Sequence, residues 1–91
     1  MTVYVDNARI PFGRMLMSHM MADTLDELHE MAVKLGLRRW FQDHPGSQHY
    51  DLSVSKREEA ISRGAVAVSS REFVQLMVID NREPPTELLH P

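Results

Sequence analysis

Two five-residue stretches in this chain hold the side chains that a phosphate group needs. Val54 to Glu58 reads VSKRE and Val68 to Glu72 reads VSSRE. In each, a serine stands three residues before a glutamate. That is the capping box, in which the hydroxyl and the carboxylate each satisfy a free N–H at a helix start. The pairs are Ser55 with Glu58 and Ser69 with Glu72. Helix capping accounts for those four residues but not for Lys56, Arg57 and Arg71 between and beside them. The first turn of a helix carries partial positive charge and disfavours cations by about 0.3–1 kcal/mol each. Either Glu58, Glu59 and Glu72 neutralise them, or an anion does. Serine hydroxyls, guanidinium groups and free helix N–H groups together hold phosphate without a dedicated loop. The chain has neither G-x-G-x-x-G nor a Walker A sequence.

A second set consists of carboxylates and imidazoles. Asp6 ends an apolar run, the usual place for a working carboxylate in α/β proteins, and Asp51 interrupts a strand-like run, where acids are rare. With His19 they could serve a metal-dependent hydrolase. His19, Asp23, His49 and Asp51 could also converge as a hard-ligand or acid–base site. Their spacing matches no metal motif, so hydrogen bonding at element ends explains them as simply. Arg14 could reach the same region. RRWF, Arg38 to Phe41, sets cations beside aromatics and could stack on a base, although core or dimer packing is the commoner use of such rings. The methionines of RMLMSHMM fit either an adaptable contact surface or core filling.

The elements that must position these residues follow from periodicity and punctuation. TVYVD reads as a strand and ARIPFG as a turn. The segment 14–21 is ambiguous between strand and helix. Thr24 and Glu27 form a third capping box, Leu25, Leu28, Ala32 and Leu35 repeat at helical spacing, and Gly36 ends the helix. A turn at Pro45-Gly46 leads to the strand HYDLS. A helix opened by Ser55 follows and runs to Arg63, then the strand AVAV, then a helix from Ser69 or Ser70 to about Ile79. This order predicts an α/β fold with a small three- to four-stranded, mostly parallel sheet covered by about three helices. Residues 1–80 form one domain, and 81–91 a polar, Pro-containing C-terminal tail. Asp6, Ser55 and Ser69 then meet at the carboxyl ends of the strands, where open sheets bind ligands.

Composition removes several classes. A net charge of −3 argues against general nucleic-acid binding. The absence of cysteine excludes disulfides and thiolate metal sites. No apolar run reaches membrane-spanning length and no secretory leader is visible, so a cytoplasmic protein is expected. A chain of 91 residues has a small core, to which a homodimer would add.

The phrases VYVDNARIPFGRMLMSHMMAD, DELHEMAVKLGLRRWF and HYDLSVSKREEAISRGAV resemble a family of small bacterial and phage proteins known only as a domain of unknown function. The resemblance covers about residues 1–70 and implies no reaction, cofactor or partner. It draws attention to Asp6, Arg14, His19, Asp23, His49, Asp51, Lys56 and Arg57 as a polar group, and it suits a phage or mobile-element origin. The leading expectation is a module that binds a small anionic ligand, phosphate-bearing or nucleotide-type, with no metal and no cofactor. Its site would use Asp6, Arg14, Ser55, Lys56, Arg57, Ser69 and Arg71. The alternatives are a metal-dependent phosphoester hydrolase centred on Asp6, His19 and Asp51, and a phage-type interaction module that blocks a host factor.

Overall fold

The computed structural model describes residues 2–44 and 48–79. The expected Pro45-Gly46 turn and the 81–91 tail lie outside them. The fold is α/β, and the described residues form three helices and a mixed sheet of six strands. The strands are β1 (Val3–Val5), β2 (Ile10–Phe12), β3 (Met15–Ala22), β4 (Phe41–Gln42), β5 (His49–Ser53) and β6 (Val66–Ala67). The helices are α1 (Leu25–Leu35), α2 (Val54–Ser62) and α3 (Ser70–Ile79), with one 3-10 turn at Arg38–Trp40. Across the sheet the order is β4-β5-β3-β1-β6, and β2 also pairs with β3.

The expected small, mostly parallel sheet is corrected to a larger, mostly antiparallel one. Among the described residues only β1 and β6 pair in parallel; β1–β3, β2–β3, β3–β5 and β4–β5 are antiparallel. The reason lies in the ambiguous segment. Gly13, at φ +59°, turns the chain between β2 and β3, and β3 becomes the central strand. Beyond Leu16 it is covered on both faces, so Met17, Ser18, Met20, Met21 and Ala22 are all buried. Burial on both faces erases the two-residue alternation that identifies a strand. The helices do cross between co-directional strands, as expected. The path β3–α1–β4 leaves room for β5 between its strands, and β5–α2–β6 leaves room for β3 and β1.

One expected feature survives this change. Strands β1 and β5 both run opposite to β3, and β6 runs with β1. The carboxyl ends of β1, β5 and β6, at Val5, Ser53 and Ala67, therefore share one edge.

Helices α1 and α2 cover one face of the sheet. Leu28, Ala32 and Leu35 of α1 and Ala60 of α2 pack with Val5, Met20, Tyr50 and Leu52. Helix α3 covers the other face through a smaller cluster, in which Phe73 meets Met21 with Tyr4, Val68 and Leu76 around them. Helix α1 begins and ends as its letters direct. The Glu27 N–H donates to Thr24 Oγ1 at 3.2 Å, and the Thr24 hydroxyl donates to Glu27 Oε1 at 2.9 Å. Gly36, at φ +71°, closes the helix in the left-handed region. Thr24→Ala is expected to cost about 1 kcal/mol of stability, read as a lower urea midpoint at unchanged slope.

The two similar pentapeptides are not equivalent in the fold. Ser69 and Glu72 form the expected box, with reciprocal bonds of 3.0 and 3.1 Å. In the other copy the helix starts two residues earlier than expected. Ser53 is the cap, accepting from the Lys56 N–H at 3.3 Å, and Ser55 lies within α2. Helix initiation goes to the serine that ends β5, because its extended backbone already has the conformation a cap requires (φ −68°, ψ 163°).

Candidate functional site

Side chains two apart on a strand share a face. In β3, His19 and Met21 point toward α3, as do His49 and Asp51 in β5. The register places His19 directly opposite Asp51. The result is a compact polar cluster in the sheet surface, beside Phe73. His49 Nε2 lies 3.4 Å from Asp51 Oδ1, and His19 Nε2 lies 3.9 Å from the same oxygen. The imidazole rings of His19 and His49 meet edge to face at 5.2 Å, and that of His44 stacks on His49 at 6.1 Å. One ligand atom each from His19, His49 and Asp51 falls within a mutual 4.8 Å.

Asp6 fixes the orientation of His19. It is the residue after β1, only 2% exposed. Its Oδ2 accepts from His19 Nδ1 at 2.7 Å, and its Oδ1 accepts from the backbone N–H groups of His19 at 2.8 Å and Ala8 at 3.3 Å. With Nδ1 bound to that carboxylate, Nε2 is the nitrogen turned toward Asp51. Burial lowers the proton affinity of His19, but the hydrogen bond and negative charge of Asp6, joined by the charge of Asp51, outweigh it. The net pKa is above that of a free imidazole.

A divalent ion four-coordinated at about 2.0–2.2 Å holds its ligands about 3.3–3.5 Å apart. The His49–Asp51 pair already has that separation, and the His19–Asp51 pair is wider at 3.9 Å. Two imidazoles and a carboxylate suit zinc-like transition ions better than magnesium or calcium. A carboxylate behind one imidazole is the usual support for such a ligand.

The other sequence candidates are dispersed. The Asp23 carboxylate is at the opposite end of β1, accepting from the Thr2 N–H at 2.9 Å and the Tyr4 hydroxyl at 3.1 Å, so it does not join His19. Arg57 Nε donates to the Asp6 carbonyl at 2.6 Å, and its Nη1 pairs with Glu58 at 3.1 Å. That guanidinium braces the end of β1 from α2. Arg71 is exposed on α3, across the sheet from α2, and Arg14 is exposed in the turn before β3. Neither has a hydrogen bond or ion pair among the described residues. The Ser55 hydroxyl lies 3.1 Å from that of Ser53, and Lys56 Nζ pairs with Glu59 at 3.5 Å. The Ser69 hydroxyl is occupied in its cap.

His49 was legible only as a member of a scattered polar set. The available signal was the i, i+2 spacing of His49 and Asp51 in HYDLS, which puts them on one face of a strand. What no spacing revealed was the pairing of β3 with β5 that adds His19.

A family model described as "Protein of unknown function (DUF4031)" matches residues 3–80. No curated protein and no solved structure matches the chain. Among the described residues no helix is long and apolar enough to cross a membrane.

Proposed function

The chain belongs to that family, and from its own side chains we propose that it is a metal-dependent hydrolase of a phosphate ester, with a divalent ion held by His19, His49 and Asp51. The observation that carries this reading is the meeting of three ligand atoms within 4.8 Å, one of them on an imidazole whose second nitrogen is held by a buried carboxylate. Three protein ligands leave a coordination position open, the arrangement of catalytic rather than structural zinc sites.

The ion would supply a water acidic enough to be hydroxide near neutral pH. In the reaction, a water oxygen forms a bond to phosphorus, the bond from phosphorus to the ester oxygen breaks, and the departing oxygen takes a proton. Asp6 keeps the lone pair of His19 Nε2 facing the cluster. Phe73, buried beside His19 at a ring distance of 6.1 Å, excludes water from one side. Phosphate as the substrate group is supported by the edge where β1, β5 and β6 end, which the cluster approaches through Asp6, just past β1, and Asp51, two residues before the end of β5, whereas His49 begins that strand. Lys56, in the first turn of α2, brings positive charge to that edge.

The test is calorimetry with zinc, followed by release of phosphate from phenyl phosphate. The expected result is one ion per chain and hydrolysis abolished by chelator. His49→Ala should weaken metal binding by more than the roughly 10–100-fold that loss of a supporting partner costs. Zinc that fails to bind, or binds equally well to His49→Ala, overturns the proposal. So does hydrolysis indifferent to chelator.

A further inference from the structure

Asp51 has a second neighbourhood besides the imidazoles. It lines a cavity of about 190 Å³ at the edge where β3 begins and β5 ends. Met15, Met17, Leu37 and Trp40 make most of its wall apolar, and Lys56 stands at it as the cation. The Trp40 indole is steadied edge to face by Phe12, with ring centres 5.6 Å apart. Among the described residues Lys56 is tied only to Glu59, at 3.5 Å, and its side chain is 42% exposed. Glu59 also takes Arg63 Nε at 3.4 Å, so the lysine can leave without stranding a charge.

Size narrows the occupant. Ligand pockets for drug-sized molecules run to about 300–1,000 Å³, whereas an apolar cavity of about 150 Å³ accepts benzene. This cavity therefore holds one flat ring and little more. Thioethers and an indole are suited to the face of such a ring. The Lys56 ammonium at the same cavity suits a negative substituent on that ring's far end, and Asp51 would receive one through the proposed ion.

We infer that this cavity is the subsite for the ring of an aromatic phosphate ester, with the ring among Met15, Met17, Leu37 and Trp40 and the phosphate directed past Lys56 toward Asp51. The inference rests on the proposed metal site for the position of the phosphate alone; the ring subsite stands on its own lining. Two ester types carry this chemistry, an aryl phosphate and a pyrimidine nucleoside monophosphate.

Trp40 is the chain's single tryptophan, so its fluorescence reports occupancy directly. Zinc-loaded protein is titrated separately with phenyl phosphate, uridine monophosphate and inorganic phosphate. Saturable quenching by either ester and none by inorganic phosphate is expected, and the tighter of the two identifies the ester type. Lys56→Gln, on a half-exposed side chain, should weaken that ester about 10-fold while leaving zinc affinity unchanged. If neither ester quenches, or inorganic phosphate quenches equally, or Lys56→Gln binds the ester as tightly as before, the subsite assignment falls. Zinc binding without ester quenching refutes the subsite and leaves the metal proposal standing. Ester quenching in a protein that does not bind zinc refutes the metal proposal and leaves the subsite.

Discussion

Asp6→Ala is expected to destabilise the protein by about 3–5 kcal/mol, the cost of removing one partner from a buried charged pair. The change strips His19 Nδ1, the His19 N–H and the Ala8 N–H of their common acceptor at once. Little water can replace it, because Asp6 is 2% exposed. For a domain with a total stability of about 5–15 kcal/mol this is a severe loss. Asp6→Asn separates the structural role from the chemical one. An amide keeps the shape and can still accept from the backbone N–H groups. Its NH₂ would then face His19 Nδ1 and make that nitrogen an acceptor, which puts the ring proton on Nε2 and opposes metal ligation. Asn should therefore retain more stability than Ala yet lose roughly 10–100-fold in zinc affinity. Urea unfolding and calorimetry on the two variants decide it. An Ala variant within 1 kcal/mol of the parent would mean that Asp6 does not brace the site.

Phe73→Ala is expected to cost about 3–5 kcal/mol, the range for emptying the site of a fully buried aromatic ring. The residue is 1% exposed and forms, with Met21, the buried heart of the cluster that holds α3 to the sheet. Because this cluster is small, much of the effect should appear as local opening. Amide hydrogens of α3 should lose protection well before those of β3 and β5. The His19 ring, which Phe73 partly covers, would gain solvent. Uniform loss of protection across all elements would show instead that α3 is integral to a single cooperative unit.

The sequence revealed elements more readily than their arrangement. Helix α1 was legible to the residue at its N-terminus because its signals are local: a hydroxyl, a carboxylate three residues on, and a glycine at the end. Strand β5 was legible for the same reason. Strand β3 was not, since its methionines have no strong β preference and its burial on both faces removes the alternation. Ambiguity between strand and helix in that one segment is enough to misjudge the sheet, because β3 pairs with β1, β2 and β5. The candidate site shows the same division. Asp6, His19, His49 and Asp51 were all recognised as chemically capable, but their convergence depends on a strand pairing with no local code. The cap of α2 lies two residues before the serine its letters favour, because two serines within one turn, Ser53 and Ser55, make two plausible caps and the competition is settled by where β5 ends.

The dipeptide Asp6-Asn7 joins distant parts of the chain. Asp6 holds His19 through its carboxylate and Arg57 through its carbonyl, and Asn7 Oδ1 accepts from both the Ser70 N–H at 3.0 Å and its hydroxyl at 3.2 Å. These partners lie 13, 51 and 63 residues away in sequence. During synthesis, therefore, Asp6 leaves the ribosome long before the groups that will enclose it. At about 5–20 residues per second, Arg57 follows after roughly 3–10 s. A nascent chain cannot assemble the cluster early, and any hydrolytic capacity would be withheld until nearly the whole domain has emerged.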